Sequence, residues 1–69
     1  MITLQQIQAR IKEAILQSGL TQTALAKSLN LSQSTIAHYI MGDILPALDT
    51  LANLCKILDL DANYILCQE

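Results

Sequence analysis

The chain has no Phe and no Trp, and its 69 residues include only two Gly, one Pro, two Tyr and one His. Without large aromatic rings, a core must be filled by Leu, Ile and Ala at high density. The 52% hydrophobic content can supply it. At this length a domain buries only about 60% of the surface its unfolded chain exposes, so the sequence is read as one domain, residues 1–69, with no room for a second core. No apolar run approaches the ~20 residues of a membrane-spanning helix, and no signal-peptide pattern is present. The expectation is therefore a cytoplasmic protein with no membrane partner.

Catalytic and metal-binding patterns are missing as well. Two Cys and one His, widely separated, have no zinc-site spacing. One His and scattered Asp residues offer no nucleophile–base pair and no paired carboxylates. The expectation is no enzyme, no cofactor and no small-molecule ligand. Cys55 falls on the apolar stripe Leu48, Leu51, Ala52, Cys55, Leu58 and is read as a small hydrophobe. Cys67, near the end of the sequence, is read as exposed.

A basic surplus is also lacking: four Lys and Arg stand against six Asp and Glu, for a formal charge of −2. The distribution is uneven. Residues 1–42 carry Arg10, Lys12 and Lys27 against Glu13, while residues 43–69 carry Lys56 against Asp43, Asp49, Asp59, Asp61 and Glu69. The first part is positive, the second negative, and a protonated His38 would add to the first.

What is present is helical periodicity from end to end, with no convincing strand and no repeat. Thr3 and Gln6 have capping-box spacing, and Leu4, Ile7, Ile11, Ala14 and Ile15 supply one apolar stripe, so a first helix is expected from Thr3 to about Ser18. Gly19 ends it. Thr21 and Ser32 are hydroxyl caps for helices at 22–29 and 33–41. Leu25 and Leu29 recur at i, i+4 in the first of these, Ile36 and Ile40 in the second. Ala26 is small enough for a close helix crossing, and Asn30 tolerates the left-handed conformation that the chain reversal requires. Gly42 closes the third helix. Pro46 is preset to begin a fourth over 47–58, with Asp59 in its C-cap place, and Asp61 can cap a short fifth over 62–66. Two short helices joined at Asn30, the second with a polar face, form a helix-turn-helix pattern.

These residues resemble the lambda-repressor-like family of helix-turn-helix domains, found in phage repressors, Cro proteins and many bacterial regulators. The resemblance runs from about Ile7 to Leu66. It is carried by Gly19-Leu20-Thr21-Gln22, Leu25-Ala26, Ser32-Gln33-Ser34-Thr35-Ile36, Gly42, Pro46 and the helical region Leu51–Leu66. It implies an all-α fold, a compact five-helix bundle, whose third helix lies in the DNA major groove. Many members bury an Arg on the first helix against an acid near the end of the third. Those places hold Ile15 and Ile40 here, so both charges are replaced together and neither is stranded.

Gln33, Ser34 and His38 share the face opposite Ile36 and Ile40. By resemblance they read base edges: Gln pairs with adenine, Ser donates or accepts, and His38 donates to guanine or phosphate. The resemblance makes Gln22 a phosphate contact at the start of the second helix. Ser32, Thr35, Tyr39 and Lys27 are further phosphate candidates, with Tyr39 equally readable as packing. Where relatives often carry Lys or Arg after the third helix, this chain has Asp43-Ile44-Leu45. The family commonly dimerises through this linker and the junction of the last two helices. Ile44, Leu45, Leu60 and Tyr64 are accordingly expected at a twofold interface, the alternative being that Ile44 or Leu45 folds onto its own core.

The function so implied is a sequence-specific DNA-binding regulator. It would act as a repressor, binding double-stranded DNA at a pseudo-palindromic operator as a homodimer in a bacterial or phage setting. The second reading is a protein-interaction module of the same fold, an antitoxin or accessory subunit, which the acidic total and the altered linker favour.

Overall fold

The computed structural model describes residues 1–69. Five helices follow in order: α1 Leu4–Gln17, α2 Gln22–Leu29, α3 Gln33–Met41, α4 Leu48–Ile57 and α5 Ala62–Ile65. The packed pairs are α2 on α3, α1 on α3, α1 on α5 and α2 on α4.

Local chemistry fixes the helix starts. Thr3 and Gln6 form a reciprocal capping box, the Thr3 side chain accepting from the Gln6 N–H and the Gln6 side chain accepting from the Thr3 N–H. Thr21 accepts from Ala24 N–H, Ser32 from Thr35 N–H and Asp61 from Asn63 N–H. The start of α4 has no such cap: Ala47 is its N-cap and offers no side-chain bond, and Pro46 precedes the helix, which begins at Leu48, one residue after the expected start. One orphan donor of this first turn, Thr50 N–H, is taken by Asp49 Oδ1 at 2.9 Å.

The helix ends answer the scarcity of glycine. Only Gly19 and Gly42 supply a left-handed φ without a side chain, so Asn30, Asp59 and Cys67 adopt it at φ 58°, 53° and 59°. After α2, Asn30 N–H reaches Lys27 C=O and Leu31 N–H reaches Ala26 C=O. After α4, Asp59 N–H reaches Lys56 C=O and Leu60 N–H reaches Cys55 C=O. After α5, Cys67 and Gln68 repeat the pattern onto Tyr64 and Asn63. Each is a Schellman closure that pairs the last carbonyls of its helix.

The core consists of Ile11, Ile15, Leu25, Ala26, Ile36, Tyr39, Leu54, Cys55 and Ile65, with Ile7, Ala14, Leu29, Leu31, Ile40, Leu45, Leu51, Leu58 and Leu60 packed against it. No charged or polar residue is buried. Ile15 and Ile40 are thus apolar members of one core, as the paired replacement of two charges requires. Each fully buried Leu or Ile contributes about 1.5–3 kcal/mol by leaving water.

Two residues assigned to apolar stripes are not in the core: Leu4 is 67% exposed and Leu48 85%. Each is the first residue of its helix. Helical side chains lean toward the N-terminus, so one in the first position projects past the end of the core. In α4, Ala52 is exposed too, and the stripe runs instead through Leu51, Leu54, Cys55 and Leu58, with Leu54 fully buried. Cys55 is buried as expected, whereas Cys67 is half-buried rather than open.

Candidate nucleic-acid interface

Asn30 reverses the chain so that α2 and α3 pack through Leu25, Ala26 and Ile36, which turns the opposite face of α3 to solvent. Gln33 and Ser34 are exposed on that face, and the His38 side chain is 45% exposed. The three stand on one side of the helix because positions one turn apart align. No acid lies among them.

Gln22, at the first position of α2, is brought to this face as well. Its side-chain oxygen accepts a hydrogen bond from Gln33 Nε2 across the turn. The hydroxyls at the start of α3 form a cluster: Ser32 Oγ is 3.1 Å from Ser34 Oγ and 2.8 Å from Thr35 Oγ1, and Ser32 also caps Thr35 N–H. Beside them are first-turn N–H groups of α3 that have no intrahelical partner, a setting that favours anions. Lys27, exposed in the last turn of α2, carries the one Lys or Arg charge of the two helices.

Tyr39, read equally as a phosphate contact or as packing, is packed. Tyr39 is 5% exposed and belongs to the core. Burial, and secondarily the nearby Asp49 carboxylate, pushes its phenol above the ordinary tyrosine value. A buried ring beside an acid is poorly placed for a phosphate.

Gln8 was not singled out in the sequence, yet it supports the site. Its Nε2 donates to the Tyr39 carbonyl at 3.5 Å, near the end of α3. A Cβ added at Gly42 would meet this amide at 2.9 Å, so Gly42 serves both the left-handed turn (φ 87°) and the close approach of Gln8. The only sequence signal was a polar residue at the edge of the α1 stripe.

Asp43, which stands where relatives often carry Lys or Arg, is engaged by His38. Its Oδ2 lies 2.8 Å from His38 Nδ1.

The four expected interface residues do not form one patch. Leu45 and Leu60 pack against their own core. Ile44, 44% exposed, and Leu45 share a groove with Leu4, Gln5 and Gln8. Leu60 and Tyr64 share another with Arg10, Glu13 and Gln17, on the opposite flank of α1. The Arg10 guanidinium lies 4.4 Å above the Tyr64 ring and bonds both the Tyr64 carbonyl and Glu69. The Tyr64 ring thus stacks on Arg10 while the residue stays 41% exposed.

Five helices without a strand, with α2 and α3 joined by a left-handed Asn and the outer face of α3 polar and open, define a helix-turn-helix protein. A family model described as helix-turn-helix matches residues 11–65, and the chain belongs to this Cro/C1-type (XRE) family of DNA-binding regulators. No match was found among curated proteins or among solved structures. No helix is long and apolar enough to cross a membrane, and no group of His, Cys, Asp and Glu could hold a metal ion.

Proposed function

We propose that this single domain is a sequence-specific regulator, a repressor by occlusion, that inserts α3 into the DNA major groove. The carrying observation is the open polar face of Gln33, Ser34 and His38, with the Gln33 amide held by Gln22 from the neighbouring helix and the one adjoining acid, Asp43, engaged by His38. A fixed glutamine amide suits bidentate pairing with adenine N6 and N7. Gln22, Ser32, Thr35 and the helix starts take phosphate oxygens, with Lys27 as the charged contact. A homodimer would set two α3 helices in successive major grooves, about 34 Å apart on an inverted repeat. Ile44 and the adjoining, well-exposed Leu4 are the apolar residues best placed to join two copies beside α3.

The test is selection of genomic fragments with purified protein at low and physiological salt. One inverted-repeat motif, lost when Gln33 and His38 are both changed to Ala, is the expected result. The salt slope is shallow, since each phosphate neutralised by Lys or Arg contributes about 0.9 to it and few such residues reach the site. Binding without a motif that vanishes at physiological salt would refute this reading.

The second reading, an interaction module such as an antitoxin or accessory subunit, draws support from exposed Leu48 and from the acidic character of residues 43–69. It predicts retained partner binding in the Gln33/His38 double variant.

A further inference from the structure

We propose that Asp43 selects the tautomer of His38, and thereby decides which base edge His38 reads. This inference rests on the DNA-binding reading above and deepens it. The linker acid has no other side-chain partner: its Oδ2 stands 2.8 Å from His38 Nδ1. Backbone geometry delivers it there. Gly42, at φ 87°, turns the chain so that the His38 carbonyl accepts from both Gly42 N–H (2.9 Å) and Asp43 N–H (3.2 Å). This closes residues 38–43 into one ring of contacts and brings the Asp43 carboxylate back to the imidazole Nδ1.

A carboxylate only accepts hydrogen bonds, so the imidazole nitrogen facing it must carry the proton. The tautomer of a neutral histidine is set by the bond its other nitrogen makes. In the neutral ring, with Nδ1–H given to Asp43, Nε2 keeps a lone pair, on the helix face that His38 shares with Gln33 and Ser34. A lone pair there accepts from an exocyclic amine, adenine N6 or cytosine N4, and repels guanine N7 and O6. A free histidine side chain in water prefers the opposite form, Nε2–H, which donates to guanine. Asp43 thus converts a guanine-reading donor into an amine-reading acceptor. It acts through His38 and is a positioning residue; it touches no base itself.

The chain has one His, so its ring nitrogens can be observed without overlap. Long-range proton–nitrogen correlation spectra of the full chain, free of DNA and with the ring neutral, should show Nδ1–H in the native protein and in Asp43→Glu. In Asp43→Ala the Nε2–H form should dominate, with the circular dichroism melt showing each variant folded. In a binding assay over the four base pairs at the position His38 contacts in the selected operator, preference should move from adenine or cytosine to guanine by about tenfold in Asp43→Ala. Asp43→Glu should restore it. A native ring in the Nε2–H form, or a tautomer indifferent to Asp43→Ala, overturns the proposal. A switched tautomer with unchanged base preference overturns its reading half. If the native protein binds no DNA, the proposed function fails, and base selection with it; the tautomer, measured on free protein, is decided separately.

Discussion

The Gln33 side chain of α3 donates from Nε2 to the side-chain oxygen of Gln22, eleven residues earlier at the start of α2. The bond leaves Gln33 Oε1 and one N–H free, and the partner limits how the amide can rotate. Gln33→Ala should cost about 1–3 kcal/mol of discrimination at one operator position. Gln22→Ala should weaken binding to all sequences and also blunt discrimination at the Gln33 position, because the orienting partner is gone. A double-mutant cycle on operator affinity should therefore give a coupling of about 1 kcal/mol. Gln33 is exposed and Gln22 half-exposed, so melting temperatures should hardly move. Strict additivity in the cycle would show that the two amides act independently on DNA.

Asp59 carries a side chain at φ 53°, where glycine is the low-energy choice. Its side chain makes no hydrogen bond that would offset the strain, while its N–H and that of Leu60 close the end of α4 whatever residue stands there. Asp59→Gly should raise the unfolding free energy by about 1 kcal/mol, read as a higher denaturant midpoint at constant slope. Asn30→Ala, at φ 58°, should lower it by a similar amount, since Asn tolerates this region better than Ala. A loss of stability in Asp59→Gly would mean that the Asp side chain contributes something beyond the turn.

Much of this architecture was legible in the sequence because it rests on local rules. Thr3, Thr21, Ser32 and Asp61 cap helices with bonds two or three residues away, and Asn30 and Gly42 stop them through their own φ. The interior was harder to read. Leu4 and Leu48 fit the period of their stripes, but a stripe does not say where the core ends, and both project beyond it. Leu54 and Ala52 lie 160° apart around α4, and only the placement of neighbouring helices decides which is buried. For the site, helical spacing placed Gln33, Ser34 and His38 on one face. The bonds from Gln22 to Gln33, Gln8 to the Tyr39 carbonyl and Asp43 to His38 depend on how elements or turns are set against one another. The placement of the expected interface residues was hidden for the same reason: Ile44 and Tyr64 stand on different flanks of α1, which no linear spacing reveals.

Arg10 ties the end of the chain to α1. It reaches the Tyr64 carbonyl and Glu69 while stacking on the Tyr64 ring, and the Glu69 hydrogen bond raises its pKa further. Arg10→Ala should speed amide exchange at Leu66, Cys67 and Gln68, whose N–H groups close the end of α5 onto Ala62, Tyr64 and Asn63. Arg10→Lys keeps the charge but loses the planar stack and the two-way reach, so it should recover only part of the protection. High salt should weaken the Glu69 pair more than the stacking. Unchanged exchange at these amides in Arg10→Ala would show that Ile65, fully buried, holds α5 alone.

Stability should fall at alkaline pH through two core groups. Burial pushes the Cys55 thiol up, with Asp61 adding a smaller push, and burial followed by Asp49 does the same to the Tyr39 phenol. Both are acids whose folded values are raised, so between the unfolded and folded values the native state holds more protons than the unfolded one. Their contribution is complete below the unfolded values, about 8.5 for Cys and 10 for Tyr, and is lost as pH rises through the folded values. Denaturant midpoints should accordingly be level up to about pH 8 and decline above it. Tyr39→Phe keeps the ring and removes the ionisation, and Cys55→Ala removes the other, so the combined variant should decline less steeply. Its midpoint near neutral pH will be lower, because Cys55→Ala leaves space in the core. The informative quantity is therefore the slope with pH. An equal slope in the combined variant would assign the alkaline loss to exposed groups instead of these two.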